Sequence, residues 1–188
     1  MPPKPKCSKE DIINAAYELM IESGVDSIVS REVGKKLGTT TAPIFTFFSG
    51  MNELKEEVYQ KTLKECSAYL SGALESESVY REFGHRWIKY AYENPNAYRM
   101  LFVTYKPGAV KGYVNEDFYP VLSIMHSEVM KSFDLSETDA KDLIDNMCIY
   151  AQGIATLLVN GLEYDGAKID RQLSRMCSAF VLSCKRTD

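Results

Sequence analysis

Residues Ser30–Leu54, SREVGKKLGTTTAPIFTFFSGMNEL, form the stretch from which the fold of this chain is best inferred. Ser30 can cap a short helix, because a serine side chain accepts a hydrogen bond from the first backbone amides. Val33 and Leu37 lie four residues apart, so they share one apolar face of that helix. Gly38 follows, where a left-handed residue readily ends a helix. This half of the stretch predicts a short amphipathic helix and a tight turn.

The second half of the stretch predicts another short helix. Thr40 is a candidate N-cap, and Ile44 and Phe48 repeat the four-residue apolar spacing. Pro43 fits the first turn of this helix, where a backbone amide lacks an intrahelical partner in any case. Two short helices joined by a glycine-containing turn are typical of a helix-turn-helix, whose second helix enters the major groove of DNA.

Residues 9–54 resemble the DNA-binding domain of the tetracycline-repressor (TetR) family. Gly38-Thr39-Thr40 stands where the family often has Gly-Val-Ser, and residues 44–48 (IFTFF) stand where it usually has Leu-Tyr-x-His-Phe. Further matching positions are Ile12, Ile13, Ala15, Ala16, Leu19, Gly24, Val33, Gly34, Leu37, Glu53 and Leu54. The resemblance implies an all-α transcriptional regulator, with a three-helix helix-turn-helix head at residues 1–48 and a ligand-binding and dimerisation body at residues 49–188. It also implies a homodimeric repressor that a small-molecule effector releases from a palindromic operator.

DNA contacts are expected around the turn and the second short helix. Thr40–Pro43 stand at the start of that helix, where side chains reach base edges, and a threonine offers both a hydroxyl and a methyl group to bases. Lys36 and the helix N-terminus would bind phosphates. The complete set of expected DNA-binding residues is Ser30, Arg31, Lys36, Thr39, Thr40, Thr41, Ala42, Pro43, Phe45, Thr46, Phe47 and Met51.

Two of these positions depart from the family pattern. Phe45 lacks the hydroxyl of the tyrosine that usually binds phosphate there, and Met51 replaces a lysine common at the start of the next helix. These departures leave a second interpretation open, in which the chain is a helical small-molecule sensor or protein-interaction module whose head binds DNA weakly or not at all.

Composition neither demands nor excludes nucleic acid as a partner. The 188 residues carry a net charge of −4, so the basic residues that could bind phosphate are local rather than global. Lys4, Lys6 and Lys9 lie in an N-terminal arm, which is either a solvated tail or a segment that follows phosphates or a minor groove.

The sequence predicts a cytoplasmic protein without a membrane segment. No apolar run is long enough to cross a bilayer, and MPPKPK lacks the apolar part of a secretory signal. The five cysteines form no CxxC pair and suit a reducing compartment. They are interpreted as small apolar side chains, with redox sensing by Cys177 and Cys184 as the alternative.

The body is expected to bind an apolar, aromatic or amphipathic small molecule, because residues 79–133 are rich in aromatic side chains. The alternative is that these side chains only fill a core. The expected ligand-binding residues are His85, Trp87, Tyr90, Tyr98, Phe102, Phe118, Tyr119, His126 and Tyr150. The two histidines match no metal-binding or acid-base spacing, and no catalytic motif or cofactor-binding loop is present, so neither an enzyme, a metal site nor a cofactor is predicted.

Two C-terminal helices are expected to form a homodimer interface. The run 147–162, MCIYAQGIATLLVNGL, is apolar on nearly all sides, so a helix there must be covered on more than one face. The last predicted helix, residues 169–184, has a similar apolar face, and two such helices fit a four-helix dimer interface. The expected interface residues are Ala151, Ala155, Leu158, Leu162, Leu173, Met176 and Phe180. The alternative is that both helices complete the core of a monomer.

Local signals also predict several helix ends. Ser8 and Ser136 precede acidic first turns and can act as N-caps. Asn94-Pro95 should end one helix and open the next. Residues 104–115 read as a loop, followed by a helix from Asn115 to Phe133 unless Pro120 marks its true first turn.

Overall fold

A computed structural model describes residues 7–104 and 119–185, except for the side chains of residues 119 and 120. The described residues form helices and turns without any strand, which confirms the predicted all-α class. They divide into two compact units. One unit contains the described residues up to Glu65 and the segment that starts at Asn94, and the other contains Cys66–Glu93 and the described residues from 119 onward.

The first unit is built around helix α1, Lys9–Ser23. The predicted N-cap is confirmed, since the Ser8 hydroxyl accepts from the Asp11 amide at 3.1 Å and the Asp11 carboxylate accepts from the Ser8 amide at 2.8 Å. Helix α1 packs against three short helices: α2, Ser30–Lys36; α3, Ala42–Phe47; and α6, Pro95–Arg99. A π-helical segment, Met100–Thr104, continues from α6. The helix boundary at Asn94-Pro95 is thereby confirmed.

The core of the first unit is formed by apolar side chains from several of its helices. Its fully buried side chains are Ile12, Ala16, Met20, Ile28, Val33, Ile44, Leu54, Val58, Tyr98 and Met100. Asn96 also ties α6 to α1, because its side-chain amide donates to the carbonyl oxygen of Ile21 at 2.9 Å.

Two predicted caps in this unit are wrong by one residue. Ser30 is already the first residue of α2, and Val29, in an extended conformation, occupies the cap position. Thr41, rather than Thr40, precedes α3, and its side chain makes no capping hydrogen bond. Pro43 lies in the first turn of α3 as predicted, because the amide that proline lacks has no intrahelical partner there.

Helix α4, Met51–Ser71, includes residues of the first unit up to Glu65 and residues of the second unit from Cys66. Ser49 precedes it, and its amide and hydroxyl both donate to Glu53, at 2.7 and 2.8 Å. The first compact unit is therefore larger than the predicted head of residues 1–48, because it includes the first part of α4 and the segment from Asn94.

The second unit contains the longer helices of the body. They are α5, Val79–Glu93; α7, Tyr119–Phe133; α8, Glu137–Val159; and α9, Gly166–Cys184. Helix α5 packs on α7 and α8, and α8 also contacts α9. Ser136 caps α8 as predicted, accepting from the Asp139 amide at 3.1 Å. The predicted loop at 104–115 and the helix start at Asn115 lie outside the described residues, except for Thr104 in the π-helical segment.

Candidate functional sites

The turn between α2 and α3 has the hydrogen bonds of a glycine-terminated helix. Gly38 has φ of +63°, its amide donates to Lys35 at 3.1 Å, and the Thr39 amide donates to Gly34 at 2.9 Å. A β-carbon on Gly34 would lie 3.2 Å from the Thr39 carbonyl oxygen, so this position also favours glycine. The short α2 is thereby closed directly before α3.

Helix α3 presents a mainly uncharged outer face. Phe45 is 53% exposed, and Ala42 and Thr46 are also exposed, while Ile44 points into the core. The Thr46 hydroxyl bonds back to the Ala42 carbonyl at 3.2 Å. Of the other predicted DNA-binding residues, Arg31 and Thr40 are exposed, whereas Ser30, Thr39, Thr41, Pro43, Phe47 and Met51 are partly buried.

Lys36 does not present a free cation beside this turn. Its ammonium group lies 2.8 Å from the Glu22 carboxylate and 3.1 Å from that of Glu18, both on α1. The hydrogen bonds to Glu22 and Glu18 raise the pKa of Lys36, so it stays charged but occupied. The expectation that Lys36 binds phosphate stays a prediction, and such binding would have to displace these two ion pairs, which no local sequence pattern indicates. Arg31 is the exposed cation of α2 that makes no ion pair with another described residue.

The second unit contains a partly open cavity of about 290 Å³ between α5, α7, α8 and α9. Its walls are mostly apolar. The apolar lining residues are Phe83, Trp87, Met125, Phe133, Ile144, Met147, Ala151 and Leu173. The polar lining residues are Ser78, Tyr80, Arg81, His85, Gln152, Asp170, Ser174 and Ser178, with the thiols of Cys148 and Cys177.

Charged groups of the cavity bind one another. Arg81 on α5 donates to the Asp170 carboxylate on α9 at 2.9 Å, and His85 Nε2 lies 3.1 Å from the same oxygen. The hydrogen bond from Arg81, with a smaller contribution from His85, lowers the pKa of Asp170. This cluster joins α5 to α9 and leaves the apolar walls as the larger binding surface.

The thiols of the cavity are poorly suited to redox sensing. Burial raises the pKa of Cys148 to about 12 and also raises the pKa of Cys177, while the thiolate is the reactive form. The pKa of Cys184 is raised as well. These shifts favour the interpretation of the cysteines as neutral, compact side chains.

The structure brings only part of the predicted ligand-binding set to this cavity. His85 and Trp87 line it, whereas Tyr90 and Tyr150 belong to the same unit but lie elsewhere. His126 also lies outside the lining, with Nε2 3.0 Å from the carbonyl oxygen of Glu137. Tyr98 and Phe102 belong to the first unit, with ring centroids 4.9 Å apart. Phe118 and the Tyr119 side chain are outside the described part of the chain.

The sequence did not predict most of the residues that line the cavity, although one signal for them was available. Tyr80, Phe83 and Trp87 follow a helical spacing of three and four residues, so they share one face of α5. The contributions of α8 and α9, such as Cys148 and Asp170, have no comparable signal, because they depend on how these helices pack.

The predicted dimer residues divide between the protomer's core and its surface. Ala151, Ala155, Leu158 and Leu173 are buried within the protomer, Phe180 is partly buried, and Leu162 and Met176 are exposed. On α8 the outward face instead contains Ile149, Gly153 and Leu157 at four-residue steps, and Leu157 is 58% exposed. The four buried residues therefore cannot form a surface for a second chain without repacking the protomer.

Comparison with protein-family models and with curated proteins finds no match to this chain. In the described parts of the chain, no helix has the length and apolar character needed to cross a membrane. Within residues 7–104 and 119–185, no cluster of at least three His, Cys, Asp or Glu side chains is arranged to hold a metal ion.

Proposed function

We propose that this chain is a ligand-responsive, DNA-binding transcriptional regulator that acts as a homodimeric repressor. The observation that carries the proposal is the arrangement of α1, α2 and α3, in which two short helices joined at Gly38 pack against a longer one. This arrangement fits a helix-turn-helix with α3 as its recognition helix. The resemblance of residues 9–54 to the TetR family supports the same function.

The effector would bind in the cavity of the second unit. A mostly apolar cleft with a few polar groups is the usual form of a small-molecule site, and about 290 Å³ suits a compact ligand. Binding there would shift the protein toward a state with lower affinity for DNA, since a ligand changes an equilibrium only through its different affinities for the two states.

A second candidate function is a helical sensor or interaction module whose head binds DNA weakly. The ion pairs of Lys36 with Glu18 and Glu22 favour it, because they remove one phosphate-binding cation from the head. The exposed ring of Phe45 adds apolar surface where a hydroxyl would help to bind a phosphate.

Selection from a random pool of duplex DNA at low salt separates these functions. We expect a roughly palindromic site, because a two-fold dimer presents its recognition helices about one helical turn of DNA apart. Thr41→Ala should change the binding preference at one base pair per half-site by about 1–3 kcal/mol. Arg31→Gln should instead weaken binding to all DNA sequences by a similar amount.

Tyr92→Phe, which alters an exposed side chain of the body outside the cavity lining, serves as the control and should leave the selected sequence unchanged. If the unsubstituted protein enriched no sequence, the DNA-binding regulator would be excluded and the helical sensor or interaction module would be favoured.

A further inference from the structure

Tyr80 is held firmly at the wall of the body cavity. Its amide donates to the Glu128 carboxylate of α7 at 2.8 Å, and the Ser78 hydroxyl donates to the same carboxylate at 2.7 Å. Its ring meets that of Phe133 edge-on, with centroids 6.4 Å apart. These contacts fix the start of α5 and direct the tyrosine ring toward the lining of the cavity.

The Tyr80 hydroxyl is buried and makes no hydrogen bond to an oxygen or nitrogen atom of any described residue. The hydroxyl interacts with the Cys177 thiol, but sulfur is only a weak hydrogen-bond acceptor. Burial raises the pKa of Tyr80, and the nearby Cys177, Cys148 and Glu128 raise it further. The group therefore remains a protonated O–H donor. Buried donors without a strong acceptor are uncommon, because withdrawing a polar group from water without a partner is unfavourable.

We propose that Tyr80 determines the ligand specificity of this cavity, by donating a hydrogen bond to an uncharged oxygen of a compact aromatic ligand. This inference rests on the proposed effector function, and it narrows the effector to aromatic ketones, esters, amides or ethers. The ligand's ring would contact Phe83 and Trp87, whose own rings have centroids 6.0 Å apart.

The surroundings of Tyr80 disfavour an anionic ligand. The Glu128 carboxylate, which accepts a hydrogen bond from the Tyr80 amide, contributes to the raised pKa of Tyr80 and so disfavours negative charge on its side chain. Arg81, the cation of the lining, already binds Asp170. A carboxylate or phenolate placed against Tyr80 would therefore lose its hydration without gaining a cation.

The test compares matched probes in the unsubstituted protein and in Tyr80→Phe. The probes are 2-acetylnaphthalene, its hydrocarbon isostere 2-isopropenylnaphthalene and the anion 2-naphthoate, with dissociation constants measured by calorimetry without DNA. We expect the ketone to bind about three- to tenfold more tightly than the hydrocarbon, the net effect of one neutral hydrogen bond, and 2-naphthoate to bind most weakly. Tyr80→Phe should abolish the preference for the ketone over the hydrocarbon.

Tyr92→Phe is the matched control, because Tyr92 is exposed and stacks on Tyr164 with centroids 4.6 Å apart, away from the cavity lining. This variant should keep the full preference for the ketone over the hydrocarbon. Without ligand, Tyr80→Phe should leave the melting temperature unchanged or raise it. A lower melting temperature would show that the hydroxyl already has a partner and would overturn the inference.

The remaining outcomes distinguish failure of the role of Tyr80 from failure of the proposed effector site. Equal binding of ketone and hydrocarbon, a preference that survives in Tyr80→Phe, or tightest binding of 2-naphthoate would overturn the role of Tyr80 while leaving the cavity as an effector site. Failure of all three probes to bind would count against the effector site itself, and against the inference with it.

Discussion

Lys36 lies at the end of α2, where its ammonium group binds Glu18 and Glu22 of the preceding helix. An exposed ion pair contributes little to stability, but it does determine which charges remain available to another partner. Phosphate binding by Lys36 would require both carboxylates to release it. The charge of this side chain is thus neutralised by residues that lie 18 and 14 positions earlier in the chain.

Releasing Lys36 should strengthen DNA binding. We expect Glu18→Gln combined with Glu22→Gln to tighten binding to specific and random DNA alike, and to steepen the salt dependence by about 0.9 for one additional phosphate contact. Fluorescence anisotropy at several salt concentrations measures both effects. Glu10→Gln with Asp26→Asn removes the same net charge from exposed positions without touching Lys36. If this control pair tightened binding equally, net charge rather than Lys36 would be responsible.

At the scale of elements, the connection between α2 and α3 depends on backbone conformation more than on packing. Gly38 has φ of +63°, yet a β-carbon there would meet nothing within 4 Å. A substitution at Gly38 would therefore act through conformational strain alone. Because α3 follows directly, the strain would be felt in the segment proposed to contact DNA.

We expect Gly38→Ala to lower the free energy of unfolding by about 1–2 kcal/mol, the cost of a left-handed conformation for an L-residue. Urea unfolding followed by circular dichroism measures it. Gly38→Asn should recover part of the loss, since asparagine tolerates this conformation better. Gly50→Ala is the control, because Gly50 also has open space but no positive φ. Equal effects of Gly38→Ala and Gly50→Ala would rule out a left-handed residue at the turn.

At the scale of the whole molecule, the described residues leave an apolar outer face of α8 exposed. Ile149 and Leu157 are exposed on either side of Gly153, a residue small enough to let another backbone approach. Exposed apolar surface of this kind often marks a protein–protein interface. This face supports the homodimer of the proposed function, although its residues differ from most of those that the sequence indicated.

We expect light scattering to show a dimer at micromolar concentration, and Leu157→Glu to produce a folded monomer that binds its operator far more weakly. Tight binding requires both half-sites to be bound together. Ile124→Glu is the control, because Ile124 is similarly exposed but lies on α7. A monomeric unsubstituted protein, or equal dissociation by both substitutions, would contradict an interface at this face of α8.

The sequence alone was sufficient for the features that depend on near neighbours. Ser8 and Ser136 cap their helices as predicted, Pro95 opens a helix, and Gly38 adopts a left-handed conformation, because each signal acts over a few residues. The all-α class was implied by the family resemblance, and the helical apolar spacing agreed with it. The caps placed at Ser30 and Thr40 each missed by one residue, because Val29 and Thr41 occupy the cap positions without any capping hydrogen bond from their side chains.

Only the tertiary structure decided which side chains share a site. Arg81 and Asp170 are 89 positions apart and meet because α5 and α9 pack around one cavity. The same packing buries Ala155 and Leu158 and leaves Leu157 exposed, although all three look alike as apolar residues in the sequence. Apolar periodicity marks which residues must leave water, whereas the partners they find depend on contacts between helices that are distant in the chain.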